Sequence, residues 1–256
     1  MSRTAFPESV LERVLRVIEA VGAAPEAISR REIAAVAGLP KATTNRLVAQ
    51  LIGERILQPA PTGVRLGIRL FELGSLAERQ GIGLHDASLP HLEDLYEITH
   101  QTVQVGVLDD LEVVYLQKIS GQRSSHLDTR IGARMPLNCT GSGKVLLAFS
   151  SPEFLDRLLA ERGLTTRTPR SISDPDALRR HLAVVRQQGY AVDDEEFQLG
   201  TTSVSAPVFQ KAEVVAAVAL SGPTERIKVA NAAMAVRATA AAVTRSLDRR
   251  QTHERN

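Results

Sequence analysis

The spacing of apolar residues divides the chain into two differently built parts. Val10, Leu11, Val14, Leu15, Ile18 and Val21 recur every three or four residues, one apolar stripe of an amphipathic helix, and Gly22 and Pro25 bring it to an end. Ser29-Arg30-Arg31-Glu32 has the form of a capping box and opens a short helix from Ile33 to Ala37, which Gly38 closes. Pro40 suits the first turn of a third helix with an inward stripe of Thr44, Leu47, Val48 and Leu51. Its opposite face carries Lys41, Ala42, Asn45, Arg46 and Ala49. Two helices joined by a short turn containing Gly, the second with a small polar and basic outer face, make the helix-turn-helix pattern. The stretch from Gln58 to Gly63 predicts a turn between short extended segments, a wing. Helical spacing then returns over 66–80 through Ile68, Leu70, Phe71, Leu73 and Leu76.

From about Leu84 helices and strands alternate. Helix signals lie at 88–99, 143–149, 152–162 and 175–188, with a long final one at 224–249. Strand signals, rich in β-branched residues and bounded by Gly, Pro or Asp, lie at 102–108, 113–119, 190–193, 202–209 and 214–221. Asp109-Asp110 and Lys211-Ala212-Glu213 have the composition of hairpin turns. Several strands are too close in sequence for a crossover helix, so the sheet is expected to be largely antiparallel and the fold class α+β.

Composition narrows the field. A chain of 256 residues with 43% hydrophobic and 23% charged residues is globular, which excludes disordered, collagen-like and coiled-coil chains, and its length fits two small domains. No apolar run reaches the ~18 residues of a membrane span, and MSRTAFPESV lacks the apolar core of a signal peptide, so a cytoplasmic location is expected. One cysteine, Cys139, permits no internal disulfide and is expected to be buried and inert. The His residues are scattered, without HExxH or CxxC, and neither a metal nor a cofactor is expected. The net charge of +2 hides an asymmetry: residues 28–70 hold seven Arg and Lys against Glu32 and Glu54, or +5, leaving −3 elsewhere. A local basic excess on a helix-turn-helix is the electrostatic footprint of DNA binding.

Four stretches carry a family resemblance. They are Gly38-Leu39-Pro40-Lys41-Ala42-Thr43-Thr44-Asn45-Arg46-Leu47; Leu66-Gly67-Ile68-Arg69-Leu70-Phe71-Glu72-Leu73-Gly74; Gly132-Ala133-Arg134-Met135-Pro136-Leu137 with Gly143-Lys144-Val145-Leu146-Leu147-Ala148; and Gly189-Tyr190-Ala191-Val192-Asp193-Asp194-Glu195-Glu196 leading to Ala206-Pro207-Val208. In this order and spacing the chain resembles IclR-type bacterial transcriptional regulators over essentially its whole length. The resemblance implies a winged helix-turn-helix DNA-binding domain (1–66), a linker helix (67–83) and a GAF-like effector-binding and oligomerisation domain (84–256). It also implies dimers, often paired into tetramers; two recognition helices related by a two-fold axis would read inverted-repeat operator DNA, and no enzymatic activity is expected. The family usually has Gly where this chain has Arg55, and many members have Cys where it has Ser203.

Candidate residues follow. Arg46 lies on the outward face, where a guanidinium makes charge-assisted bonds to phosphate. Lys41, Thr43 and Asn45, near the helix start, can reach base edges or phosphates. Arg65 on the wing is either a DNA contact or a solvated charge. The stretch Asn138 to Lys144 lacks the first Gly of a phosphate loop and has Val145 in place of its Ser or Thr; it predicts a glycine-rich helix entry. By resemblance, the Gly141 and Ser142 amides face the carboxylate of a small organic-acid effector, with Asp193, Ser203, Ala219 and Ser221 completing the pocket. On the other reading Asp193 is a strand-end turn residue and the serines are satisfied strand hydroxyls. Met135, Leu116 and Leu127 nearby would let an aromatic or longer acid compete with a two- or three-carbon one, and a bulky residue at Ser142 would fill the space. The Leu70, Leu73 and Leu76 face and the Val10, Val14 and Ile18 stripe offer surface for association. A ligand-independent architectural DNA-binding protein is the alternative function, and an enzyme on the α+β domain a further one, although neither a nucleophile–base pair nor a metal cluster is evident.

Overall fold

The computed structural model describes residues 9–80, 83–121 and 129–254. Two compact units divide the chain at Gly81/Ile82.

In the first unit α1 (Val10–Ala23), α2 (Arg30–Ala37) and α3 (Lys41–Gly53) precede a two-stranded antiparallel ribbon, β1 (Leu57–Ala60) and β2 (Gly63–Leu66), and α4 (Ile68–Gln80). Both α1 and α2 begin in full capping boxes, Ser9 with Glu12 and Ser29 with Glu32, which satisfy amides a helix start leaves open. Gly38 ends α2 in the left-handed region at φ 63°. The core is Val17 and Val21 of α1, Ile33 of α2, Leu47 and Val48 of α3, and Leu57 and Val64 of the ribbon. Ile28 exchanges two backbone bonds of 3.0 Å with Val64, so the ribbon is tied to the segment entering α2. Arg55 also adopts positive φ, 59°, a conformation that Gly would take without steric cost.

The second unit is a six-stranded, wholly antiparallel sheet with strand order β5-β4-β3-β8-β7-β6. Its strands are β3 (Thr102–Asp109), β4 (Glu112–Ile119), β5 (Arg134–Pro136), β6 (Ala191–Asp194), β7 (Thr201–Gln210) and β8 (Glu213–Pro223). One face is covered by α5 (Leu84–Thr99) and α9 (Val229–Glu254), the other by α6 (Gly141–Phe149), α7 (Pro152–Glu161) and α8 (Pro175–Gln188). Strand alternation serves both: Val204, Val218 and Leu220 pack with α5 and α9, while Ala217, Val113 and Tyr115 pack with α6 and α8.

Several boundaries depart from the sequence reading. The wing turn is only Pro61-Thr62, since Gln58 to Ala60 and Gly63 are paired strand residues, and Leu66 ends β2 so that α4 starts at Ile68. Helix α5 begins at Leu84 rather than 88, carrying Pro90 inside it; tertiary packing of Leu84 and Ala87 overrides the proline signal. Helix α6 begins at Gly141 rather than 143. The final helix starts at Val229, because β8 remains paired to β7 through Pro223 and a 3₁₀ turn, Thr224–Arg226, intervenes. Strand β5, three residues long, carried no legible pattern.

Helix α6 lies deep in the second unit, every residue from Gly141 to Ala148 being buried. Two glycines permit this. A Cβ on Gly141 would lie 2.7 Å from Ser205 Oγ, and one on Gly143 would lie 2.3 Å from the Leu137 carbonyl. Gly143→Ala therefore forces backbone apart in a packed interior; we expect a loss of about 1–3 kcal/mol, read as a lower urea midpoint for the second unit.

Candidate functional sites

On α3 the inward residues Thr44, Leu47, Val48 and Leu51 are buried, and Lys41, Asn45 and Arg46 are exposed, with Thr43 half-buried between them. Lys41 and Arg46 form no ion pair among the described residues. The start of this helix differs from those of α1 and α2. Pro40 occupies the capping position and makes no side-chain cap, so the first-turn amides of Lys41, Ala42 and Thr43 donate to no described group. Unpaired amides at the positive end of a helix, next to Lys41, leave this surface electrostatically complementary to phosphate. Arg65 stands opposite Gln58 on the ribbon, and with its amide oriented to satisfy both groups the Gln58 oxygen accepts from Arg65 Nη2 at 3.0 Å. Arg65 is thus braced rather than freely solvated.

In the second unit a cavity opens at the amino end of α6, with about 20 Å³ open to the centres of water molecules, little more than one water needs. Gly141, Asp193, Ser203 and Ser221 line it together. Ser142 and Ala219 do not. Ser142 is fully buried beside Ser205, Oγ to Oγ 3.5 Å, and bonds the Tyr115 hydroxyl, so a Leu there would overpack the core instead of filling the cavity. Ala219 is buried between its partners Gln104 and Ser205. Met135 lines the space, whereas Leu116 is 42% exposed and Leu127 lies outside the described residues. The physical reason for Leu116 is a bulge. Gly106 pairs with Tyr115 and Val105 with Gln117, leaving Leu116 unpaired. Tyr115 consequently faces the cavity, while Gln117 faces α5 and bonds Ser88 Oγ at 2.6 Å.

Gln104, Tyr115, Thr129, Thr140, Phe197 and Thr201 complete the lining and were not singled out in the sequence. Only their place in the sheet or loop marks them. Gln104 Nε2 donates to Thr129 Oγ1 at 2.8 Å, and Ser221 Oγ donates to Ser203 Oγ at 2.9 Å. Phe197 sits in the loop after β6 under the guanidinium of Arg167, 4.8 Å from its ring centre. Asp193 does hold this loop: its Oδ1 accepts from the amides of Glu196 (2.8 Å) and Phe197 (3.2 Å), and Oδ2 makes no described bond. Behind it lies a second unforeseen feature, a fully buried Lys144 whose Nζ donates to Glu196 Oε1 and to the Val192 carbonyl.

Burial pushes Asp193 up to about 7, against the opposing pull of Lys144, and raises Glu196 in the same way. It raises the Cys139 thiol and the Tyr115 hydroxyl each to about 12, and lowers His181 to about 4. Cys139 is fully buried. Among the described residues no group of His, Cys, Asp and Glu could hold a metal, and no helix is long and apolar enough to cross a membrane.

Both halves of the chain match family models: the IclR helix-turn-helix domain over residues 10–61, and the bacterial transcriptional regulator IclR C-terminal domain over residues 78–246. This chain belongs to the IclR family of transcriptional regulators. It is 34% identical to the HTH-type transcriptional regulator XynR of Escherichia coli K12, over 85% of this chain and 87% of that protein. Identity to the transcriptional repressor IclR of the same organism is 32%, over 85% and 81%. Among solved structures it is similar to an IclR homolog from Microbacterium hydrocarbonoxydans complexed with 4-hydroxybenzoate, at a TM-score of 0.86 and 31% identity over 94% of this chain and 99% of that one. The IclR of Thermotoga maritima superposes with a TM-score of 0.79 at 28% identity, covering 93% and 98%. As in that family, this protein joins a DNA-binding helix-turn-helix to an α+β domain with an antiparallel sheet.

The raised pKa of Asp193 sets a direction for pH dependence. Between its unfolded value near 4 and its folded value of about 7 the native state binds more protons than the unfolded state, so stability falls as pH rises through this window. Asp193→Asn should flatten that fall, leaving the smaller part due to Glu196; urea midpoints taken from pH 4 to pH 8 check it.

Proposed function

We propose that this regulator binds an inverted-repeat operator as a dimer or tetramer through residues 1–66, and that a small organic acid bound within residues 84–256 changes its affinity for DNA, with 67–83 as the linker. The carrying observation is the polar cavity at the amino end of α6: an architectural protein has no use for Asp193, Ser203, Ser221 and Gln104 gathered around unpaired amides. The Gly141 amide at the cavity donates to no described group and takes the carboxylate. Met135, Tyr115 and Phe197 supply apolar walls for a ring, which favours an aromatic acid over a two-carbon one. Oδ2 of Asp193, protonated below about pH 7, faces a ring hydroxyl rather than the anion. The cavity is smaller than any such acid, so binding requires Phe197 or Met135 to move, and the acid favours the state in which they have moved.

On DNA, Arg46 and the open first turn of α3 hold phosphates, and Lys41, Thr43 and Asn45 reach base edges, with Arg65 at the wing. Association uses apolar residues exposed in the first unit, Leu11 (66%), Leu15, Ile68 and Phe71 (72%), together with Val10, Leu73 and Leu76. Val14, Ile18 and Leu70 are half-buried and contribute less. A regulator rather than an enzyme is favoured by the relatives and by the burial that raises the Cys139 thiol to about 12, where it is no nucleophile.

Arg46→Ala should weaken binding across operator sequences and lower the salt slope by about one, while Asn45→Ala relaxes preference at one base position; anisotropy titrations at several salt concentrations distinguish them. With 4-hydroxybenzoate as the first acid tested, operator affinity should change about 5- to 150-fold. Ser203→Leu should abolish that response while acid-free DNA binding persists. Retention of the response by this variant overturns the site, and indifference of operator binding to every organic acid overturns ligand control.

A further inference from the structure

The second unit carries a groove unrelated to the cavity at α6. It runs along α9, is open to solvent along one side with a volume of about 770 Å³, and is bounded by α9, the second half of β7 and the ends of α6 and α8. Helix α9 has two working faces. Val236, Ala240, Val243 and Leu247 are buried on the sheet. Met234, Arg237, Ala238, Ala241, Thr244 and Arg245 recur at three- and four-residue spacing on a second face that lines the groove. The alanines there leave a trough, and its floor is Pro207 with the edge-to-face pair Phe149 and Phe209, ring centres 5.5 Å apart.

Charge in this groove has one sign. Arg186, Arg237 and Arg245 line it, no acidic residue does, and none of the three makes an ion pair among the described residues. Arg186 is held in place by the Ala148 carbonyl and by that of Ser150 at 3.3 Å, so its guanidinium is already positioned. Three unpaired guanidiniums around an apolar floor are complementary to a molecule with an apolar body and an anionic head.

The sheet edge in the groove argues against a peptide strand as occupant. Strand β6 pairs with β7 only as far as Ser205, which leaves residues 206–210 unpaired on that side. Pro207 has no N–H to offer there, and the Phe209 N–H already donates to Thr244 Oγ1 at 3.0 Å. The main-chain donors that strand addition needs are thus missing or taken. A groove volume within the ~300–1,000 Å³ range of small-molecule sites fits a discrete ligand instead.

We propose that this groove is a second binding site, for an amphipathic organic anion with an acyl or aryl body, its head held by Arg237, Arg245 and Arg186 and its body laid over Phe149, Phe209 and Pro207. It is independent of the acid site at α6, and the two fail separately. Calorimetric titration of the full chain with decanoate, kept below its micelle-forming range, is the test, with light scattering of the same samples. The parent should bind decanoate saturably. Arg237→Gln combined with Arg245→Gln should weaken binding about tenfold or more, and Ala241→Phe, a change at an exposed helix position that fills the trough, should abolish it. Ser203→Leu should leave decanoate binding as in the parent. Undiminished binding in the double Arg variant, loss of binding in Ser203→Leu, or no binding by the parent would each overturn the proposal. No decanoate binding by the parent, together with a lower mass in solution for Ala241→Phe than for the parent, would instead assign the groove to a second copy of the chain.

Discussion

The approach of α6 to β7 is the constraint on which the effector half of this protein rests. Gly141 and Gly143 let the first turn of the helix press against Ser205 and the Leu137 carbonyl, closer than any Cβ allows. Once there, the helix is buried along its length, its leading amides have no carbonyl to bond, and the strand hydroxyls of Ser203 and Ser221 are brought beside them. A polar cavity in the middle of a protein thus follows from one close contact between backbones.

Burial of that helix also submerges Lys144, which cannot reach water. Its ammonium is met by Glu196 and the Val192 carbonyl, both supplied by the segment at the end of β6. Removing one partner of such a pair costs about 3–5 kcal/mol, more than the pair contributes over an apolar substitute, so its value is in fixing where the chain runs. The segment so fixed carries Asp193 and Phe197 to the cavity rim. Charge pairing, loop position and the lining of the site are one arrangement.

Helix starts in this protein are treated in two opposite ways. Helices α1 and α2 close theirs with capping boxes. Helices α3 and α6 leave amides free, at an exposed basic surface in one case and inside a cavity in the other. Unpaired amides at a helix start favour negative charge, which is the basis for the anion-binding role proposed at each.

Much of this was written locally in the sequence. The capping box at Ser29, the Gly38 stop, the inward stripe of α3 and the limits of α8 depend on neighbours within a few residues, and composition and periodicity report them. The motifs around Gly38 and Gly189 carried the family, and with it four of the cavity residues: Gly141, Asp193, Ser203 and Ser221. What tertiary structure decided was which side each strand residue faces once a bulge intervenes, so that Tyr115 and not Leu116 enters the cavity. It also decided that Ser142 turns into the core, that Lys144 finds its counter-charge 52 residues away, and that three arginines from two helices meet over one apolar floor. Helix and strand periods record the burial of one element at a time; sites are made where elements distant in sequence converge, and no local period encodes that.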